Sequence, residues 1–414
     1  MISYQQALAY IRDCGCIQNK KSVPVLQALG RICAADIVNT QTIPAFDNAA
    51  MDGFAVRAAD TRSATAATPL SLTVVGDTVA GDVPAAAVPG SAWEISTGAA
   101  IPQGYDSIVM VEHAQPQGMT AHGRPAQIVL STPVTINAHI RRAGEDFKSG
   151  DTVIAAGTRL TPQHIMALVA MGIGEIVIYE APTVAVISTG KELVDDHRVS
   201  LLPGQIRNAN GPYLMAILAR MHTVPEYAGI VPDEPDVFET KVRALAARTR
   251  IIVSTGAVSA GRHDFIAASL RRLGAEIIFH KVAIKPGKPI LFARLPDGVF
   301  YLGLPGNPVS AAVGLRFFLY PLLCALAGMN PEDEWSAQLE LPAQKKPGMR
   351  WFQKARLWTD AAGRCRVRIL DGQESFRIKP MLEMNCWAIL PEEQEYAAAG
   401  AAIAVASLYP GGVQ

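Results

Sequence analysis

The stretch Val184-Ala-Val-Ile-Ser-Thr-Gly190 is an unbroken apolar run that ends in two hydroxyls and a glycine, and Ile251-Ile-Val-Ser-Thr-Gly256 repeats the pattern. A short apolar run bounded by a turn signal reads as a strand buried on both faces. Elements of both kinds follow these runs in alternation. Helices are expected over 211–221, 236–247 and 264–273, with strands at Ile230-Val231, Ala275–Phe279 and Val299–Leu302 and a long apolar helix over 308–327. Alternating buried strands and helices imply a mainly parallel, doubly wound α/β domain. Such sheets bind ligands at the loops beyond the carboxyl ends of their strands, so the two Ser-Thr-Gly turns are candidate binding positions.

Away from this centre the pattern changes. Residues 2–12 and 23–30 carry helical apolar spacing, and 150–178 reads as helical again. Between about 40 and 145, short alternating runs such as Leu70-Ser-Leu-Thr-Val-Val75 and Ser107-Ile-Val-Met-Val-Glu112 are separated by Gly and Pro turns, which is a β pattern. The tail, 335–414, reads as a small β-barrel or sandwich. The best linker candidates are 61–68 and 331–334. At 414 residues the chain should hold two to four domains. Its 37 basic and 37 acidic residues cancel, so broad electrostatic binding to nucleic acid or membrane is not expected. The six cysteines are scattered and make no CxxC pair; Cys14-Gly-Cys16 lacks a ligand cluster nearby. The N-terminus shows no signal region, and the apolar stretch around Phe317–Met329 is too short to span a bilayer. A cytoplasmic protein is expected.

Five segments set glycine or proline beside a charge at an expected loop. In Ser254–Asp264, Gly256 and Gly261 allow tight turns, Ser259 offers a hydroxyl, and Asp264 begins a helix as either a cap or a functional acid. Ser188-Thr189-Gly190 with Glu192 has a similar form. Lys285-Pro-Gly-Lys-Pro289 holds two ammonium groups suited to phosphate or an oxyanion, or else is a solvated turn. Leu304-Pro305-Gly306-Asn307-Pro308 caps a helix whose free amides would attract anions. The fifth, Phe46–Arg57, places Asp52 before Gly53, and Arg141-Arg-Ala-Gly-Glu-Asp146 adds cations and acids in the same β region. Neither a P-loop nor a GxGxxG turn is present. Carboxylates with lysines and backbone donors point to Mg²⁺-assisted phosphate chemistry.

In this order, FDNAAMDGFAVR, STGKEL, STGAVSAGRHD, KPGKP and GLPGNPVSA resemble the MoeA family of molybdopterin molybdenumtransferases, which includes the E domain of gephyrin. The resemblance covers essentially the whole chain. It implies a linker domain of mixed α/β type in two segments (1–40 and 146–180), an inserted β domain (41–145), a molybdopterin-binding α/β domain (181–328) and a C-terminal β-barrel-like domain (329–414). It also implies insertion of molybdate into adenylylated molybdopterin, with release of AMP, dependent on Mg²⁺.

Carried over by motif, the functional acids are Asp52, Asp146, Glu192, Asp233 and Asp264, with Glu192, Asp233 and Asp264 as metal candidates. Lys285 and Lys288 would draw in molybdate and phosphate. The binding positions are Thr97, Arg141, Ser188, Thr189, Gly190, Thr255, Gly256, Ser259, Gly261, Pro305, Gly306, Asn307, Pro308 and Ser375. The resemblance implies a homodimer whose cleft is shared between subunits, so that Asp52 and Asp146 act in the partner's site and Arg141 offsets their charge. It allows contact with the molybdopterin-adenylylating protein and other cofactor-synthesis proteins. Departures from the family pattern include Ala49, Phe54, Ala209, Ala257 and Ala260. The readings that compete are a tungstate-inserting variant and an inactive scaffold or regulatory paralogue.

Overall fold

A computed structural model of the protein describes residues 1–15, 19–83, 86–256, 265–329 and 332–409. These fall into two units. One comprises Met1–Ala35, Ala156–Ile165 and Gly174–Gln414, and the other Asp36–Ala155 and Met166–Ile173.

The larger unit is built on the sheet read from the Ser-Thr-Gly runs. Its strands lie in the order Val224–Val231, Thr183–Thr189, Ile251–Thr255, Phe300–Leu304, Leu291–Arg294 and Glu276–His280. The first four run parallel, Leu291–Arg294 runs antiparallel to them, and Glu276–His280, antiparallel to Leu291–Arg294, returns to the common direction. Along Thr183–Thr189, Val184 and Val186 enter one buried cluster while Ala185 and Ile187 enter another. Both faces are therefore covered, which is why the run is apolar without alternation. Helices Asn210–Leu218 and Pro308–Gly314 contribute to the first cluster. Pro235–Ala246 and Ile266–Arg272 contribute to the second.

The helical stretch Pro308–Leu326 is long and apolar enough to cross a membrane by length and composition, but 89% of it is buried inside the protein. It is a core helix. A widened π turn, Leu315–Leu319, precedes Pro321 and accommodates the N–H that proline lacks. Arg316 is buried with it, paired to Glu332 at 2.6 Å and donating to the Ser407 carbonyl at 2.9 Å.

The C-terminal strands close into a barrel. Arg350–Thr359 pairs with both Cys365–Ile369 and Cys386–Leu390, and Trp335–Leu339 and Ala402–Ser407 complete the ring. Alternate residues Ala355, Val367, Ala388, Ile403 and Val405 fill its centre. The short strand Ile284–Lys285 pairs with Arg350–Trp351 at the barrel's rim.

The smaller unit contains a six-stranded sheet in the order Ser107–Met110, Gly53–Val56, Ser91–Ile95, Leu70–Thr78, Pro125–Leu130 and Gln115–Met119. Phe54, Val56, Leu72, Val74 and Ile128 pack on one side of it.

Three expectations are corrected. Residues 23–30 are not a helix: Lys20–Pro24 is a strand paired with Glu175–Tyr179, followed by a single 3-10 turn. Pro24 and β-branched Val23 and Val25 disfavour helix there, and Leu26 and Leu29 are exposed rather than packed. The 150–178 region is helical only over Pro162–Ala170, with strands Thr152–Ile154 and Glu175–Tyr179 on either side. The Thr/Ala-rich stretch 61–68 is not a linker. Thr61 and Ala64 are fully buried, and the Thr61 hydroxyl donates to the Ala58 carbonyl while accepting the Val134 N–H.

Candidate functional site

The four parallel strands carry the expected site residues at their carboxyl ends. Asp233 follows Val224–Val231, Gly190 and Glu192 follow Thr183–Thr189, Gly256 ends Ile251–Thr255, and Pro305–Pro308 follows Phe300–Leu304. Ser259, Gly261, Asp264 and the departures Ala257 and Ala260 lie outside the described residues.

The hydroxyls at this edge face inward. Ser188, Thr189 and Thr255 are buried. The Thr255 hydroxyl donates to Ser188 Oγ at 3.4 Å, and Ser188 donates to Asn208 Oδ1 at 3.2 Å. Thr189 donates to the Thr255 carbonyl at 3.1 Å. Asn208 also accepts the Gly211 N–H and gives its amide hydrogens to Asp195 Oδ1 at 2.8 Å and Tyr227 Oη at 2.7 Å. Tyr227 in turn donates to Asp195 at 2.7 Å. Burial, with the Asp195 carboxylate beside it, pushes the Tyr227 phenol well above its ordinary range, so it remains a donor. These hydroxyls shape the edge. Asn208, Tyr227 and Asp195 are missing from the sequence reading, because nothing in the spacing of three distant polar residues signals that they meet.

One glycine lets the strand ends come together, and a second lies in ordinary contact with it. A Cβ on Gly256, whose φ is +98°, would lie 2.2 Å from the Thr189 carbonyl oxygen, and a Cβ on Gly306 would lie 3.5 Å from the Gly256 Cα. The Gly306 carbonyl accepts the Asn210 amide at 2.7 Å. Pro305–Pro308, Gly256 and Asn210 therefore form one continuous edge.

The helix cap is built differently from the expectation. Asn307 is the N-cap residue, but its amide donates to Ser375 Oγ at 3.0 Å instead of its carbonyl oxygen capping the helix. Pro308 has no N–H, and the Val309 N–H donates to the Ser375 carbonyl at 3.0 Å. The terminus thus presents fewer free amides to an anion than its sequence implies. Ser375 lies at this edge, in contact with Asn307 and Val309.

Lys285 and Lys288 are exposed at the turn after Ile284–Lys285. The Lys285 ammonium sits 4.2 Å from the centre of the Trp351 ring, a cation–π contact that holds it in place without spending its hydrogen-bond donors. Trp351 is a further residue the sequence reading omits.

In the smaller unit, Asp52 lies on the turn between Asn48–Ala49 and Gly53–Val56. Its carboxylate accepts the Thr97 N–H at 2.6 Å and the Thr97 hydroxyl at 2.9 Å, and chiefly the first of these holds its pKa below the usual carboxylate range. Thr97 and Asp52 are thus brought together. Arg141 pairs in register with Asn48, while its neighbour Arg142 forms the ion pair, with Asp47. Asp146 is exposed and donates its N–H to the Ile43 carbonyl.

Among the described residues no group of three or more His, Cys, Asp or Glu side chains is placed to hold a metal. Burial raises the thiols of Cys14 and Cys324 to about 11 and that of Cys386 to about 12. They stay protonated at neutral pH, in keeping with incidental cysteines.

Comparison with known proteins covers most of the chain. Residues 2–172 match the MoeA N-terminal region (domain I and II), 185–325 a probable molybdopterin binding domain, and 336–408 the MoeA C-terminal region (domain IV). The chain is similar to the molybdopterin molybdenumtransferase of Synechococcus elongatus, 39% identical over 390 residues, spanning 93% of this chain and 94% of that one. It is 34% identical to the enzyme of the same name from Haemophilus influenzae, over 92% and 91% of the two chains. A crystal structure of the molybdopterin biosynthesis MoeA protein from Pyrococcus horikoshii superposes with a TM-score of 0.83 at 28% identity, covering 98% of this chain and 99% of that one. The chain belongs to the MoeA family.

Proposed function

We propose that the protein is a molybdopterin molybdenumtransferase that inserts molybdate into adenylylated molybdopterin and releases AMP and the molybdenum cofactor. The observation that carries this is the 39% and 34% identity, over nearly the full length, to proteins of that name, together with the strand-end edge that sets Glu192, Asp233 and the Pro305–Pro308 turn at the carboxyl ends of parallel strands of one sheet.

The chemistry suits the residues present. Molybdate is already an anion and needs no protein nucleophile, so the work is positioning and charge stabilisation. Lys285, steadied on Trp351, and Lys288 draw the oxyanion and phosphate to the edge. Gly190 and Gly256, both at positive φ, set the backbone turns of the edge that the pterin would meet. Glu192 and Asp233, with Asp264, are hard oxygen donors that would hold Mg²⁺, and a bound Mg²⁺ would offset phosphate charge. We place Asp52 and Asp146 in the site of a second copy, in a homodimer. The reaction sits in the cytoplasm and takes its substrate from a molybdopterin-adenylylating protein. The balanced net charge supports neither nucleic-acid nor membrane binding.

The test is AMP release from adenylylated molybdopterin with Mg²⁺, with and without molybdate, and with tungstate in parallel. Molybdate-dependent release is expected, lowered about 100-fold by Lys285→Ala. Tungstate preference would change the oxyanion assignment. Binding of the adenylylated pterin without release would overturn the transferase reading in favour of a scaffold. Mixing Asp52→Ala with Lys285→Ala protein should restore part of the activity if the site is shared between copies, and no recovery would overturn that part.

A further inference from the structure

The barrel strand Arg350–Thr359 carries Lys354, whose side chain is completely buried. A buried ammonium is costly unless its donors are matched. This one donates to the carbonyls of Gly372 at 2.6 Å, Glu374 at 3.2 Å and Arg377 at 3.3 Å. All three acceptors lie on one segment, 372–377, which has no helix or strand of its own. Gln373 adds a second tie: its amide donates to the carbonyls of Lys354 at 2.8 Å and Leu370 at 2.7 Å, and its oxygen accepts the Lys354 N–H.

The far side of that segment is where the barrel meets the α/β edge. The Ser375 carbonyl takes the Val309 N–H, and Ser375 Oγ takes the Asn307 amide. Asn307 adjoins Gly306, which lies against Gly256 and Asn210. The same barrel strand meets the lysine turn at its other end, where Trp351 underlies Lys285. One strand thus supports two parts of the candidate site, and Lys354 is its link to the second.

We propose that Lys354 is a positioning residue: its ammonium fixes segment 372–377 so that Ser375 holds Asn307 and the first turn of the core helix in the geometry the substrate meets. A methionine would fill the same hydrocarbon space without the burial cost of a charge, yet it could not tie three carbonyls to one point. The kinetic part of this inference rests on the transferase reading above, while the structural link does not.

Two measurements test it on the full-length protein. In Lys354→Met, amide exchange at Val309 should quicken at least tenfold while Arg350–Thr359 and Cys365–Ile369 keep their protection. Unchanged exchange at Val309 would overturn the link even if the wild type proved inactive. In turnover, KM for adenylylated molybdopterin should rise about tenfold with kcat within about threefold, and adding Ser375→Ala to Lys354→Met should lower kcat/KM by less than about twofold further. Fully multiplicative losses would mean that Lys354 acts elsewhere and would overturn the proposal. Should Lys354→Met fail to fold, Gln373→Leu, which removes the second tie of the same segment, takes its place in both measurements with the same expected directions.

Discussion

The turns Ser188-Thr189-Gly190 and Ser254-Thr255-Gly256 are spelled alike, end adjacent parallel strands, and do different work. Ser188 faces the Asn208, Tyr227 and Asp195 network, whereas Ser254 accepts the Tyr301 hydroxyl at 2.6 Å inside the core. Gly256 is crowded by backbone: its added Cβ would lie 2.2 Å from the Thr189 carbonyl oxygen. Gly190 is crowded by a side chain: its added Cβ would lie 2.6 Å from the Glu192 carboxylate, which can swing away. The identical letters conceal one turn that closes the sheet edge and one that sets an acid. Neighbours, not spelling, assign the roles.

The strongest way to break this comparison is Gly256→Ala. Carbonyl backbone cannot retreat without moving the Thr183–Thr189 strand, and φ of +98° is unfavourable for any side chain. A destabilisation of about 3 kcal/mol is expected, read from the denaturant midpoint. A loss below about 1 kcal/mol would show that the edge tolerates separation and that the glycine is not required by packing.

Gly190→Ala should cost less stability, about 1–2 kcal/mol, because φ of +144° is still strained but the obstructing carboxylate is mobile. Its activity should suffer more than its stability, since Glu192 must leave its position. About a tenfold drop in molybdate-dependent AMP release is expected. Equal stability losses at Gly190 and Gly256 would erase the distinction between the two turns.

These contrasts also mark what could be read from the sequence. The α/β sheet was legible because its strands are buried on both faces and so write continuous apolar runs. The strand Leu291–Arg294 was not, because it lies antiparallel beyond Phe300–Leu304 and follows closely on the Lys-Pro-Gly-Lys turn, which reads as loop. The barrel strand Arg350–Thr359 was hidden by its own composition. It carries Arg350, Lys354 and Arg356 among its ten residues, and a buried lysine matched by three carbonyls has no sequence signature. Glycine turns and the lysine pair announced the candidate site. Asn208, Tyr227 and Trp351 did not, because each gains its place only through contacts between distant segments.

A narrower test separates the two serines. Tyr301→Phe removes a buried hydrogen bond to Ser254 and should cost about 1 kcal/mol with turnover unchanged. Tyr227→Phe removes a similar bond to Asp195 and should cost about the same, but it loosens Asn208 and hence Ser188. Turnover should therefore fall only in Tyr227→Phe. A matching fall in Tyr301→Phe would mean that both faces of the sheet feed the site and that the two Ser-Thr-Gly turns are functionally equivalent.

The smallest effect concerns a third glycine turn, Met51-Asp52-Gly53, which sharpens the rule from another sheet. A Cβ on Gly53 would lie 1.9 Å from the Val109 carbonyl oxygen, so here too backbone proximity demands glycine, and the preceding acid is left to face outward. The Thr97 N–H and hydroxyl hold the Asp52 pKa down. Its folded value lies below the unfolded one, so whatever this contact contributes is present above the ordinary carboxylate pKa of about 3.9 and is lost as pH falls through the lowered value. Thr97→Val removes the hydroxyl bond and keeps the larger backbone bond. The Asp52 carboxyl resonance should then titrate at a higher pH than in wild type, yet still below the ordinary range. A return to the full ordinary value would show that the hydroxyl, rather than the backbone of the turn, fixes the acid. In that case Asp52 would be set by a side chain, and not by the close backbone packing that defines Gly256.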